Sequence, residues 1–72
     1  MSEYTGTVRW FNEDKGYGFL GQDHDEKDMF VHVSELEKAG IGTLREGQRV
    51  KFKIAMGTKG KPHAIDLKLL NA

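Results

Sequence analysis

The sequence predicts an all-β fold, in which five short strands form an antiparallel barrel or a tightly rolled sheet with one short helical turn after the third strand. Short runs of β-branched, aromatic and aliphatic residues recur along the 72 residues, and turn residues separate them at regular intervals. Only the run from Ser34 to Gly40 is typical of a helix. Closure of the sheet would also remove exposed edges, which matter in so small a protein.

The first predicted strand runs from Tyr4 to Asn12 (YTGTVRWFN) and leads into a turn at Glu13 to Gly16. Side chains alternate between the two faces of a strand, so strict alternation places Val8 and Trp10 on the same face. A buried valine and an exposed tryptophan require a bulge or a sharp bend between them. The residues alone leave this register open.

Two further strands are predicted from Tyr17 to Gln22 and from Met29 to Val33, and a polar, mostly acidic loop from Asp23 to Asp28 joins them as a hairpin. Alternation divides the side chains of this pair between two faces. The aliphatic face holds Leu20, Met29, Val31 and Val33. The opposite face holds Tyr17, Phe19, Phe30 and His32.

This division of faces predicts a binding surface. An aromatic residue in a strand is more often part of a core than of a site. Here, however, the aliphatic side chains alone can fill the interior, and glycines lie between the aromatic residues along the chain. Flat rings held side by side on a sheet are the surface on which unpaired bases stack. We therefore expect these rings to face the solvent.

The segment after the third strand is expected to be a single helical turn. Ser34 with Glu37 three residues later fits a capping box, and Gly40 is expected to end the turn. In the loop that follows, from Ile41 to Gly47, Leu44 is the expected inward anchor.

The last two predicted strands run from Gln48 to Met56 and from His63 to Leu70, with a basic turn that includes Pro62 between them. Alternation in the fourth strand predicts inward side chains at Val50, Phe52, Ile54 and Met56. Alternation in the fifth strand places Ile65, Leu67 and Leu69 on one face.

Composition limits the class of protein. The chain has no cysteine, so disulfides and thiolate metal sites are excluded. It has no apolar stretch of membrane-spanning length, and its N-terminus lacks the features of a signal peptide. We expect one soluble cytoplasmic domain spanning residues 1–72.

The formal net charge is zero, from 11 basic and 11 acidic residues, so any attraction of nucleic acid must be local. The candidate basic patch beside the rings is Arg9, Lys15, Lys59 and Lys61.

Several motifs can be set aside. Gly16, Gly18 and Gly21 match the dinucleotide fingerprint G-x-G-x-x-G, but they lie in a strand pattern and no crossover helix follows. The acidic loop lacks the glycine and the final glutamate of a calcium loop, and the three histidines lack metal-ligand spacing. No grouping of nucleophile and base can be argued. The sequence predicts no catalytic residue, no metal and no cofactor, and a protein that is not an enzyme.

Lys15 to Leu20 (KGYGFL) fits the start of the RNA-binding signature K/R-G-F/Y-G/A-F-V, with leucine in place of valine. A second aromatic segment, FVH, follows in the next strand. The segments WFN, DKGYGFL, DMFVHVS and LREGQRVKF, in this order and spacing, closely resemble the bacterial cold-shock proteins and the related cold-shock domain. The resemblance covers nearly the whole chain.

The resemblance implies a five-stranded antiparallel OB-type barrel that binds single-stranded RNA or DNA. The residues that it implies for contact with bases are Trp10, Tyr17, Phe19, Phe30 and His32. It implies Arg9, Lys15 and Lys59 near phosphates, and we add Lys61 from the same basic turn to the predicted site. It also places Trp10 on the binding face.

This chain departs from the family pattern at three places. Val33 and Ile41 stand where the family usually or often has an aromatic residue, and the turn Lys59-Gly60-Lys61-Pro62 is one residue longer than the family's KGP-like turn. Two missing rings, at about 1 to 3 kcal/mol per stacked base, predict weaker affinity or a shorter footprint than in a fully aromatic member.

The functional hypothesis is a monomeric protein that binds single-stranded RNA and DNA, pyrimidine-rich strands in particular, and has no membrane partner. By capturing unpaired bases it would act as an RNA chaperone without ATP. In the family this is linked to cold adaptation, transcription antitermination and translation. The alternative is a protein-interaction module on the same barrel, which the neutral net charge keeps open.

Overall fold

The computed structural model describes residues 3–57 and 60–70, which form a closed barrel of five strands with one helix after the third strand. This confirms the predicted fold class. The strands are β1 (Tyr4–Asn12), β2 (Tyr17–Gln22), β3 (Asp28–His32), β4 (Arg49–Met56) and β5 (Pro62–Leu69), and the helix is α1 (Val33–Ala39). Within the described ranges, no helix has the length and apolar character needed to cross a membrane.

The barrel closes in the strand order β1-β2-β3-β5-β4, with β4 pairing back onto β1. These ladders are antiparallel except the contact between β3 and β5, which is parallel and pairs Phe30 with His63. The parallel contact follows from closing five strands, because four successive antiparallel ladders leave β3 and β5 running in the same direction. As a result, β5 lies directly beside the second aromatic strand.

A β-bulge at Arg9 resolves the register of β1. Val8 pairs with Leu20, whereas Trp10 pairs with Phe19, so one extra residue of β1 lies between two consecutive positions of β2. The bulge changes the alternation at this point. Val8 is buried in the core, and Trp10 is 44% exposed on the outer side of the sheet.

The interior of the barrel is filled mainly by aliphatic side chains, as the division of faces predicts. The buried hydrophobic residues are Val8, Leu20, Met29, Val31, Leu36, Leu44, Val50, Phe52, Ala64 and Leu67. Leu44 is therefore the inward anchor of its loop, as expected. Phe52 belongs to this core and is fully buried, which shows that burial of a ring depends on the face of the strand that carries it.

The alternation predicted for the last two strands is partly wrong. Met56 is 65% exposed although an inward position is expected, because it lies at the end of β4 beyond the filled interior. In β5, Ala64 and Leu67 are buried while Leu69 is 40% exposed. A register shift between Lys51 and Lys53 and a left-handed backbone at Asp66 (φ 52°) break the period of two along this ladder.

The start of the helix also differs from the prediction. Helix α1 begins at Val33 and has seven residues, about two turns, so Val33 is not part of the third strand. The N-cap is His32, whose Nδ1 accepts a hydrogen bond from the backbone N–H of Ser34 at 3.1 Å. The capping box at Ser34 is therefore wrong. Gly40 ends the helix in a left-handed conformation (φ 73°), as expected.

Gly18 allows β1 and β2 to approach closely beneath the aromatic side of the sheet. A Cβ atom built at Gly18 would lie 2.3 Å from the carbonyl oxygen of Trp10 and 2.7 Å from the Cα of Phe11. No side chain fits in this space. The glycine therefore serves the pairing of two aromatic strands, which is a different role from that in a dinucleotide fingerprint.

Candidate nucleic-acid interface

Five rings lie together on the outer side of β1, β2 and β3, and we call them the ring platform: Trp10, Tyr17, Phe19, Phe30 and His32. The bulge in β1 turns Trp10 to this side. Alternation in β2 brings Tyr17 and Phe19 to it, and their partners across the β2–β3 ladder are His32 and Phe30. The structure thus brings together all the aromatic residues of the sequence-predicted site.

The rings of the platform support one another. The centroid of Phe19 lies 5.4 Å from that of Trp10 and 5.8 Å from that of Phe30. The centroid of Tyr17 lies 5.7 Å from that of Phe30, with the two rings nearly stacked, and His32 lies 6.5 Å beyond Phe30. These separations are in the range of favourable aromatic pairs. Mutual packing orders the rings before any ligand arrives.

Exposure differs among the five rings. Trp10 and His32 are exposed, whereas Tyr17, Phe19 and Phe30 are half-buried because each packs edge or face against its neighbours. Half-burial on the outer side of a sheet leaves part of each ring in contact with solvent. The platform therefore offers apolar, flat surface that the core of the barrel does not use.

Cations lie at two sides of the platform. Arg9, on the bulge next to Trp10, donates from Nε to Oδ1 of Asp28 at 2.6 Å, and this pair is solvent-exposed. Lys15 is exposed in the turn before Tyr17, where its backbone N–H donates to Oδ1 of Asn12 at 2.9 Å. Lys61 is exposed before β5 and lines a groove beside Phe30. The predicted residue Lys59 lies outside the described residues.

The acidic loop between β2 and β3 is partly neutralised by ion pairs. Asp23 accepts two hydrogen bonds from the guanidinium of Arg49, at 2.8 and 2.6 Å, and one from the Thr5 hydroxyl at 2.6 Å. These hydrogen bonds, first those of Arg49 and then that of Thr5, hold the pKa of Asp23 well below its usual range. Together with the Arg9–Asp28 pair, they reduce the negative charge next to the platform.

The positions that lack the family's usual rings are Val33 and Ile41, and both are half-buried. A methyl of Val33 lies 3.1 Å from the position of a Cβ on Gly16, so this side chain covers the turn before β2. Ile41 packs against the core. Both aliphatic side chains thus contribute to packing.

Sequence reasoning missed His63, which the parallel ladder places next to Phe30. Its only signal in the sequence is a lone histidine after Pro62. The parallel pairing of β3 with β5 is a tertiary feature that no local pattern reveals.

The chemistry of this face is that of stacking and ionic contact. Within the described ranges, no three histidine or acidic side chains are grouped so that they could hold a metal ion. Flat rings, exposed cations and a ring with hydrogen-bonding nitrogens can bind bases and phosphates.

Comparisons with known proteins agree with this geometry. A family model described as the 'Cold-shock' DNA-binding domain matches residues 4–70. The chain is similar to the cold shock-like protein CspE of Escherichia coli K12, with 52% identity over 60 residues, covering 83% of this chain and 87% of that protein. It is also similar to the cold shock-like protein CspA of Shewanella violacea (55% over 56 residues, 78% and 80% covered). A third relative is the cold shock-like protein CspA of Vibrio cholerae (48% over 66 residues, 92% and 93% covered).

The match to the family model includes all five strands and the helix, and with them the whole ring platform. In each of the three relatives about half of the aligned residues are identical to this chain, and the alignment covers 80% to 93% of the relative's length. The chain therefore belongs to the cold-shock domain family of nucleic-acid-binding proteins.

Proposed function

We propose that this protein binds single-stranded RNA and single-stranded DNA by stacking unpaired bases on the ring platform. The observation that carries the proposal is the arrangement of five adjacent rings on the side of the barrel opposite its aliphatic core. Each base stacked on an aromatic ring is worth about 1 to 3 kcal/mol, and stacking tolerates any base. Arg9, Lys15, Lys59 and Lys61 would supply contacts with phosphates.

Binding of this kind makes the protein an RNA chaperone that needs no ATP. A protein that binds only unpaired RNA shifts the equilibrium between folded and melted RNA towards the melted state by mass action. The free energy comes from binding itself. We propose that the protein acts in this way as a monomer in the cytoplasm, on pyrimidine-rich strands, during transcription antitermination and translation in the cold.

Binding can be tested with the fluorescence of Trp10, since this indole is an exposed member of the platform. We expect oligomers of thymidine, uridine, cytidine and adenosine to quench it, with the pyrimidine oligomers binding most tightly. Duplex DNA of the same sequence should compete poorly because its bases are already stacked. Unchanged fluorescence with every oligomer, together with no retention of labelled RNA, would refute the proposal.

Chaperone activity needs a separate test. A short RNA hairpin with a fluorophore and a quencher at its ends should open when the protein is added at a concentration above its Kd, without ATP. The Phe30→Ala variant should open it less at the same concentration. A protein that binds single strands but leaves the hairpin closed at saturation would restrict the function to binding.

A further inference from the structure

His63 lies on the same side of the barrel as the ring platform. Its Cα is the partner of Phe30 in the parallel ladder between β3 and β5, and it lies opposite Ala55 in the ladder between β4 and β5. Partners in a ladder share a face, and neighbouring strands lie about 4.8 Å apart. The ladders therefore connect one row across four strands, formed by Trp10, Phe19, Phe30 and His63.

A groove opens between the platform and the turn that precedes β5. Its lining is largely apolar and includes Phe30 and His32 on one side and Lys61, Pro62 and His63 on the other. The opposite edge of Phe30 is occupied by the rings of Tyr17 and Phe19. A flat apolar slot with a lysine at its rim has the chemistry of a site for a nucleobase and its phosphate.

The imidazole of His63 lies against the turn that precedes β5. The backbone N–H of Gly57 donates to the carbonyl oxygen of Lys61 at 2.7 Å, which closes the turn on itself. The ring lies beside Gly57, because a Cβ there would be 3.6 Å from Nδ1 of His63, which is van der Waals contact. The ring is half-buried. A half-buried side chain has fewer rotamers to lose, so it loses less conformational entropy when a ligand binds than a fully exposed one.

The acidic groups that line the groove are paired with cations. Asp28 accepts from Arg9 at 2.6 Å, and Glu35 is bound by Nζ of Lys38 at 3.3 Å. Their negative charges therefore oppose an incoming phosphate less than free carboxylates would. Lys61 at the rim adds a positive charge on the side of β5.

From this geometry we infer that His63 forms the β5 wall of an additional base-binding slot, in which a nucleobase of the bound single strand stacks between the platform edge at Phe30 and the imidazole. The inference rests on the proposed function and extends its platform by one position. It identifies a contact that the sequence-predicted site does not contain.

The test is a series of substitutions at His63 measured by Trp10 quenching with heptathymidine and heptauridine. His63→Ala should raise the Kd about five- to tenfold, at the lower end of the effect of losing one stacked base. His63→Gln, which keeps hydrogen bonding but has no ring, should raise it similarly. His63→Phe should keep the Kd within about twofold, since it preserves the ring. His24→Ala is the matched control. His24 lies in the loop between β2 and β3, where its ring stacks on Tyr4 of β1 and is not part of the platform.

The outcomes separate the slot from the proposed function. Wild-type quenching with equal Kd values for the wild type, His63→Ala and His24→Ala would overturn the slot and leave the platform intact. A Gln variant that binds like the wild type while Ala does not would overturn stacking at this position. Absence of wild-type binding would overturn both.

Thermal unfolding of each variant checks that it is folded. In NMR spectra, the Cε1–H resonance of His63 should shift on binding, while that of His24 should not.

Discussion

At the scale of single residues, Phe30 and Phe52 illustrate how the same side chain takes two roles. Phe52 is fully buried in the core, whereas Phe30 is half-buried on the outer side of the sheet and touches the rings of Tyr17, Phe19 and His32. The ring of Phe30 is not needed to fill the interior. Its contribution to stability is that of a cross-strand aromatic pair, and its exposed surface is available to a ligand.

We predict that Phe30→Ala weakens binding far more than it lowers stability. Loss of one stacking position should cost about 1 to 3 kcal/mol of binding free energy. Loss of its cross-strand contacts should lower the free energy of unfolding by about 1 kcal/mol. Oligothymidine titration and urea unfolding measure the two quantities.

Phe52→Ala is the matched control for Phe30→Ala. Removing this buried ring should lower the free energy of unfolding by about 3 to 5 kcal/mol. If Phe30→Ala proved the more destabilising of the two and bound oligothymidine as the wild type does, Phe30 would be a core residue and the platform would be disproved.

At the scale of elements, His32 joins the platform to helix α1. Its Nδ1 accepts the backbone N–H of Ser34 and lies 3.0 Å from the Ser34 hydroxyl, so it caps the helix while its ring stands beside Phe30. Because Nδ1 is an acceptor, the neutral ring carries its proton on Nε2. One side chain therefore sets both the start of α1 and the edge of the platform.

Two substitutions separate these roles of His32. His32→Ala removes the ring and the cap, and it should lower the free energy of unfolding by about 1 kcal/mol. His32→Asn removes the ring but restores a strong N-cap residue, so its loss of stability should be smaller. Both variants should weaken oligomer binding equally. Equal destabilisation of the two in urea unfolding would show that the cap contributes nothing.

The loop between β2 and β3 is tied to the barrel by Asp23, which bonds Arg49 of β4 and Thr5 of β1. The pKa of Asp23 is depressed in the folded state, mainly by the hydrogen bonds from Arg49, from an ordinary value of 3.8. A depressed pKa stabilises the fold above the unfolded pKa, and this contribution is lost as the pH falls towards the folded pKa. The pair therefore contributes fully at neutral pH.

We predict that Asp23→Asn lowers the Tm at pH 7 and that the difference from the wild type shrinks as the pH falls below about 4. The effect should be small and sensitive to salt, because both partners are exposed. Scanning calorimetry between pH 2 and pH 7 measures it. The control is Glu26→Gln in the same loop, whose side chain has no ion pair within the described ranges. A difference between Asp23→Asn and the wild type that is constant over this pH range would contradict the linkage.

Patterns local to the chain were enough to predict the strands and the aliphatic face, because alternation is a property of each strand alone. They were not enough where the position of a side chain depends on how two strands pair or on where a strand ends and a helix begins. The cap at His32 depends on the path from β3 into α1, and the phase of β5 depends on a shifted ladder and the left-handed backbone at Asp66. The place of His63 depends on a parallel pairing of β5 with β3. The resemblance to a family placed Trp10 outward, but the bulge at Arg9 is the physical reason.

At the scale of the whole molecule, the zero net charge conceals an uneven distribution. Several cations away from the platform are held by acids, as in the pairs Lys51–Glu3 and Lys53–Asp66. Lys15 and Lys61 stand exposed at two sides of the platform, and Arg9 is held there by a single exposed carboxylate. Long-range attraction of a polyanion should therefore be weak, while contacts close to the platform remain.

We predict a modest but measurable dependence of single-strand affinity on salt. Each phosphate contact with a single strand contributes about 0.7 to the slope of log K against log salt concentration, so contacts from Arg9, Lys15, Lys59 and Lys61 give a slope of about −3. Lys15→Gln should reduce the magnitude of the slope by about 0.7. Lys68→Gln, on β5 beside α1, removes the same charge away from the platform and should leave the slope unchanged. Equal slopes for the two variants would show that Lys15 makes no contact with phosphate. A single-strand affinity that does not depend on salt for the wild type would remove the ionic contacts altogether and favour the protein-interaction module.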